Sequence, residues 1–183
     1  MRSRLSEVSA ALFVLAVLAP ATALGTVTNA AATGCKVDSG AQSARTSSYR
    51  FVLRVGMPEQ MYTPAQVTKM HPKHGEVMLR GRMNGMGGMS MGGSMRHLEV
   101  QICTRPSHTV ITTANPTITV KDDSSMGMAT KVPVTVMQGV GAGTADLHYG
   151  NNVAMKPGHR YTIKVTHKGQ TATFHTQVPK ASM

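Results

Sequence analysis

The 183-residue chain contains no tryptophan and only two cysteines, and aromatic residues make up 4% of it. Without tryptophan, the Cys, Trp, Cys spacing of antibody domains is excluded. Two cysteines cannot form a zinc site unless histidines complete it. Only eight residues are acidic, and no pair of carboxylates suggests a glycosidase. No serine has the neighbours of a nucleophilic triad, so we expect a binding protein and not an enzyme.

Acidic residues are so few that the formal net charge is +11. Such a charge often indicates nucleic-acid binding. Here the basic residues are scattered without a run, and the aromatic residues that would stack on bases are scarce. We therefore expect no nucleic-acid partner.

Long hydrophobic runs are also absent, apart from residues 10–24 near the amino terminus. This run is too short to cross a membrane, but with Arg2 and Arg4 before it, it is typical of a secretory signal peptide. Residues 1–32 are predicted as that peptide, so the mature protein is exported to the periplasm, the cell envelope or the medium. A lipid anchor at Cys35 is the alternative; it is not favoured, because the usual leucine three positions earlier is missing.

Both cysteines, Cys35 and Cys103, lie in the mature chain. An oxidising compartment permits a disulfide between them. Such a bridge would remove about 4 kcal/mol of unfolded-chain entropy. The competing interpretation is a lipidated or disordered Cys35 with a free, buried Cys103.

The mature chain is predicted as an all-β, immunoglobulin-like or cupredoxin-like β-sandwich with one short helix. Residues 33–48 are small and polar and predict a flexible leader, and residues 49–180 predict the sandwich, a metal-binding domain. A capping box beginning at Thr63, with Pro64 after it, predicts a helix that ends near Met70. The strand pattern is alternating polar and apolar residues separated by turns; it covers residues 49–55, 76–82, 97–104, 117–121, 131–137, 161–167 and 171–178.

A glycine-rich loop with many methionines precedes one of these strands. Residues 83–99 read MNGMGGMSMGGSMRHLE. Thioethers are soft ligands that favour Cu(I), whereas imidazole and carboxylate suit Cu(II), iron and zinc. In the strand that follows, His97 and Glu99 point the same way, about 6.6 Å apart, and could ligate one ion. The segment therefore indicates a transition-metal protein; the alternative for the loop alone is a flexible linker whose methionines are incidental.

A second motif, HYGNNVAM, covers residues 148–155. Together with the His-Leu-Glu strand and an upstream methionine, it resembles the periplasmic iron-transport family found alongside bacterial ferrous iron uptake permeases. That family has a dimeric cupredoxin-like or immunoglobulin-like fold. The resemblance implies a site for copper, with iron as the second candidate, and a homodimer with an envelope permease or reductase as partner.

Carried onto this chain, the resemblance implies a metal site of His97, Glu99, Met137 and His148. A further downstream histidine completes the family's set. His175 is preferred for it over His167, which is in phase with apolar residues of its strand. The predicted function is buffering or delivery of copper or iron in the cell envelope. The alternatives are an immunoglobulin-like adhesion or assembly module without metal, and a Cu(I) scavenger that uses only the Met-rich loop.

Overall fold

The computed structural model describes residues 34–81 and 94–180. The predicted signal peptide and Met83, Met86, Met89 and Met91 of the Met-rich loop lie outside this part of the chain. Within it, no helix is long and apolar enough to span a membrane. The elements in chain order are β1 Gln42–Arg45, β2 Tyr49–Gly56, β3 Met61–Tyr62, α1 Pro64–Met70, β4 Glu76–Arg80, β5 Met95–Thr104, β6 Thr117–Asp122, β7 Thr130–Lys131, β8 Thr135–Gly139, a 3₁₀ turn Thr144–Asp146, β9 His148–Ala154, β10 Arg160–His167 and β11 Gln170–Gln177.

The strands form two sheets. The larger has the order β1-β2-β5-β9-β8-β4-β3, and the smaller has the order β11-β10-β6-β7. The pairs are antiparallel except β3 with β4. The protein is thus an all-β sandwich with one short helix, which confirms the predicted fold class.

The core between the sheets is built from alternate residues of the strands. On β5, Leu98, Val100 and Ile102 are fully buried and belong to the same apolar cluster as Ile163 and Val165 of β10. Because side chains alternate across a strand, the other β5 residues point to the opposite face of the large sheet, away from the small sheet. This second face, here called the outer face, carries the candidate site.

The helix α1 follows its sequence signals. Thr63 Oγ1 accepts a hydrogen bond from the Gln66 amide at 3.2 Å, and Gln66 Oε1 accepts one from the Thr63 amide at 2.8 Å. This reciprocal pair is the predicted capping box. Pro64 occupies the first helical position and the helix ends at Met70, so both predicted ends are confirmed.

The predicted flexible leader is wrong for the part of it that the structure describes. Residues 42–45 form β1, which pairs with β2, and Cys35 is 2% exposed. A disulfide joins Cys35 to Cys103 of β5. The bridge and the strand pairing hold this small, polar segment on the sheet, and its one larger apolar side chain, Val37, is exposed, which is why composition alone predicted a flexible leader.

The predicted strand at residues 131–137 is interrupted. β7 ends at Lys131 and β8 begins at Thr135 in the other sheet. Pro133 lies between them and has no amide hydrogen to give to a ladder. The chain therefore crosses from one sheet to the other at this proline.

Candidate metal centre

The HYGNNVAM motif lies mostly in β9, a central strand of the large sheet that sequence periodicity did not predict. Both faces of β9 are covered, so its pattern is not the simple alternation of a half-exposed strand. His148, Gly150 and Asn152 lie on the outer face, as their pairing with β5 and β8 requires. Tyr149 and Asn151 point to the other side.

The inward residues of the motif anchor neighbouring loops. The Tyr149 hydroxyl donates a hydrogen bond to the Ile111 carbonyl and accepts one from the Ala114 amide at 2.9 Å. Asn151 Nδ2 donates to the Pro133 carbonyl at 2.9 Å. The inward-pointing residues Tyr149 and Asn151 therefore have structural roles that need no ligand.

Gly150 is required by the close approach of β5. A Cβ atom at this position would lie 1.7 Å from the carbonyl oxygen of Leu98 and 2.8 Å from its carbonyl carbon. Those atoms belong to the backbone and cannot rotate away. The glycine therefore allows β9 to pack against β5 between His148 and Asn152, at the point opposite Glu99.

Three ionisable side chains converge on the outer face. Glu76 of β4, His97 of β5 and His148 of β9 are 7%, 1% and 1% exposed. One ligand atom from each lies within 4.8 Å of the other two. The two imidazole centroids are 5.8 Å apart, and Glu76 Oε2 lies 3.4 Å from His148 Nε2. We call Glu76, His97 and His148 the triad.

Asn152 determines which nitrogen of His97 carries the proton. Its Oδ1 accepts a hydrogen bond from the Glu59 amide at 3.1 Å, and its Nδ2 donates to the Glu59 carbonyl at 2.8 Å. The side-chain amide is thus fixed with Oδ1 facing His97 Nδ1, 3.0 Å away. Because Oδ1 only accepts, His97 Nδ1 must donate, and the lone pair of the neutral ring lies on Nε2.

The same logic applies to His148. Its Nδ1 lies 2.8 Å from the backbone carbonyl of Asp146, which can only accept. His148 Nδ1 therefore donates, and its Nε2 also carries a lone pair. Histidines that ligate metals usually donate their other ring N–H to a carbonyl or a carboxylate in this way.

The ligand atoms of the triad have no hydrogen-bond partner among the described residues. This holds for Glu76 Oε2, His97 Nε2 and His148 Nε2. Burial, together with the nearby carboxylates of Glu99, Asp146 and Glu59, raises the pKa of Glu76 to about 8. Burial lowers the pKa of His97, helped by the neighbouring His148 ring. Protein groups alone thus stabilise little charge here, and the lone pairs stay available to an ion.

Three of the residues predicted from sequence come together. His97 and His148 are triad members, and Met137 of β8 is the cross-strand partner of His148 on the outer face. Met137 is fully buried and packs with Met61 and Met78. The long sequence interval between Met137 and His148 contains the 3₁₀ turn that supplies the Asp146 carbonyl.

Glu99 and His175 do not join this group. Glu99 lies on the outer face, but its Oε2 is 3.7 Å from Arg54 Nη1, across the β2–β5 pair. His175 lies on the small sheet, exposed to solvent, with its Nδ1 3.1 Å from Thr162 Oγ1. The inward residues of β11 are its even-numbered ones, Ala172 and Phe174, so His175 must point outward. His167 also lies on the small sheet, where it is buried against the ring of Tyr49 from the large sheet.

Sequence reasoning missed Glu76. It begins β4, and its pairing with Gly139 of β8 places it on the outer face beside the two imidazoles. One signal was present in the sequence: Glu76 and Met78 are two residues apart and so share a face, as His97 and Glu99 do. The pairing of β4 with β8 is a long-range feature that this signal does not contain.

Comparisons with known proteins give little more. No family model matches the chain, and no curated protein matches it. Among solved structures, the chain is similar to a DUF4426 family protein from Pseudomonas aeruginosa PAO1. The two are 14% identical over 78% of this chain and 98% of the other, with a TM-score of 0.47.

Proposed function

We propose that this protein is an exported transition-metal-binding protein that buffers or delivers copper or iron in the cell envelope. The ligands are Glu76, His97 and His148. One observation carries the proposal: these three buried side chains each present a ligand atom that has no hydrogen-bond partner in the described part of the chain, and all three atoms lie within 4.8 Å of one another.

An ion explains an arrangement that is otherwise costly. Leaving a buried polar group without a partner costs about 1–3 kcal/mol, and more when the group is charged. Three such groups at one point would be expensive if they had no ligand. A bound cation would satisfy both lone pairs and the carboxylate together, and would displace the proton that the high pKa of Glu76 keeps on it.

The ligand set bears on the choice of metal. Two histidines and one carboxylate are the ligands of many non-haem Fe(II) sites and of some zinc sites. Iron therefore has more support than a sequence with so few carboxylates suggested. Copper stays in the proposal because Met137, a soft thioether, is adjacent to His148. The proposed membership of the iron-transport family rests on the sequence resemblance described above.

Export is supported by the Cys35–Cys103 disulfide, because such bridges persist mainly in oxidising compartments. A sulfur engaged in this bridge leaves no Cys35 thiol for a lipid, so the proposal does not include an anchor. We further propose a role without turnover, with a homodimer and a permease or reductase partner as the resemblance implies. The adhesion-module alternative has no such support from the convergent triad.

The experiment is metal analysis of protein recovered from the export compartment, with the variants His97→Ala, His148→Ala and Glu76→Gln. We expect near-stoichiometric copper or iron in the unaltered protein and a loss of most of it in each variant. His175→Ala is the matched control, since this histidine is exposed on the other sheet, and it should retain the metal. Equal metal content in all five proteins would reject the assignment.

A further inference from the structure

The protein has a second buried apolar cluster that consists only of methionines. Met61, Met78 and Met137 are 1%, 8% and 0% exposed and pack together. Among residues 34–81 and 94–180, the main core between the sheets contains a single methionine, Met155. All three residues of the small cluster are methionines, whereas the much larger main core has one. The two clusters therefore differ clearly in composition. We call Met61, Met78 and Met137 the thioether trio.

The trio lies directly against the triad on the outer face. Met78 and Met137 are cross-strand partners of each other, and Met137 is also the partner of His148. Met61 is the partner of Glu76 in the parallel β3–β4 pair. Its sulfur lies 3.8 Å from Nδ2 of Asn152, the side chain that orients His97.

We propose that the thioether trio is a separate Cu(I) site. Thioethers are soft, neutral ligands that select Cu(I) over harder divalent ions. Because they carry no charge, they can be buried without an ion at no electrostatic cost, unlike the triad. Methionine side chains have three rotatable bonds, so the three sulfurs can adjust around an ion.

Apolar packing alone does not require methionine at these positions. Leucine has nearly the same volume, and exchanges between leucine and methionine in cores are well tolerated. Burying methionine also removes more rotamer freedom than burying leucine. Three methionines beside unpartnered nitrogen and oxygen ligands therefore fit a soft metal site better than a core.

Together the trio and the triad would let the protein hold copper in both oxidation states, with sulfur ligands for Cu(I) and imidazole and carboxylate ligands for Cu(II) or another divalent ion. The trio goes beyond the function proposed for the triad, and the two sites can be tested separately. Its sulfur ligands are distinct from the triad's nitrogen and oxygen atoms, and the ion that it selects is different.

The test is an anaerobic Cu(I) titration of the full mature chain against a chromogenic Cu(I) chelator, with a parallel Zn(II) titration to report on the triad. The key variant is Met61→Leu/Met78→Leu, which keeps Met137 beside His148. Removing a residue that only hydrogen-bonds to a metal ligand already weakens metal affinity by about 10–100-fold. Losing two ligands should weaken Cu(I) binding by about 100-fold or more and leave Zn(II) binding within about threefold. Met155→Leu, an equally buried methionine of the main core, is the matched control and should change neither.

A second measurement does not depend on any variant. The X-ray absorption spectrum of the Cu(I)-loaded protein should show a coordination shell dominated by sulfur. Unchanged Cu(I) affinity in the double variant, an equal loss in Met155→Leu, or a shell of nitrogen and oxygen would each overturn the proposal. A failure of Zn(II) binding in the unaltered protein would count against the triad alone.

Discussion

Replacing Glu76 by glutamine should make the metal-free protein more stable while removing its metal affinity. Glu76 is buried, and its carboxyl group has a pKa of about 8 compared with an ordinary value of 4.5. The folded protein therefore holds the proton more tightly than the unfolded chain does. The contribution of this group to the free energy of unfolding is fully present below pH 4.5 and is lost progressively as the pH rises to about 8.

The size of this loss follows from the two pKa values. One pKa unit corresponds to about 1.4 kcal/mol, so the unaltered protein should lose about 4 kcal/mol between pH 5 and pH 9 through this group alone. Glutamine has nearly the same shape and does not ionise, so Glu76→Gln should escape the loss. The variant should therefore be nearly as stable as the unaltered protein at pH 5 and clearly more stable at pH 9.

The assay is urea unfolding of both proteins at pH 5, 7 and 9 in the presence of a metal chelator. If the stability difference between Glu76→Gln and the unaltered protein changes by less than about 1 kcal/mol from pH 5 to pH 9, the ionisation argument fails.

Adding a metal should reverse the order of stability. A ligand that binds only the folded state stabilises it by RT ln(1 + [L]/Kd), which is about 2.7 kcal/mol at one hundred times Kd. The unaltered protein should gain this stability with Zn(II) or Cu(II), and Glu76→Gln should not. A crossover of this kind identifies a residue whose charge serves binding at the expense of folding.

Three further predictions concern the same face of the sheet. The affinity of the triad for Zn(II) should weaken about tenfold for each pH unit below 8, because the metal must displace the proton of Glu76; titration calorimetry in buffers of different ionisation enthalpy should detect the released proton. Gly150→Ala should cost more than about 3 kcal/mol in urea unfolding because its Cβ has no space, whereas Gly56→Ala, with nothing within 4 Å of the added atom, should change stability little. Cys35→Ser/Cys103→Ser should lose about 4 kcal/mol of stability and also bind Zn(II) more weakly; unchanged affinity would contradict a link between the bridge and the site.

Sequence patterns predicted the elements whose signals are local. The helix was correct at both ends because Thr63, Pro64 and Gln66 act within one turn. β5 was correct over most of its length because its polar and apolar residues alternate. β1, β3 and β9 were not predicted as strands: two are only four and two residues long, and β9 has both faces covered. Strands of these kinds are defined by their partners more than by their own sequences.

The residues of the candidate site also fall into those with a local sequence signal and those placed by strand pairing. His97, Met137 and His148 were found because they lie in motifs that can be read along the chain. The sequence predicted Glu99 as the carboxylate, because it shares one strand with His97 and that nearness is visible along the chain, whereas the side chain that converges with the two imidazoles is Glu76. Which carboxylate faces the imidazoles depends on Arg54, which pairs with Glu99, and on the β4–β8 register, which brings Glu76 into place. Neither pairing has a local signal.

The disulfide is connected to the site through a chain of hydrogen bonds. The Cys35 amide donates to Gln101 Oε1 at 3.0 Å, and Gln101 Nε2 donates to the Ala145 carbonyl at 3.1 Å. The next carbonyl along the chain is that of Asp146, which accepts from His148 Nδ1. The segment has little apolar surface to pack, since Val37 is exposed, so the covalent bond adds to the few contacts that hold it in position. The two cysteines of this cysteine-poor chain thus fix the loop that sets the tautomer of one triad histidine.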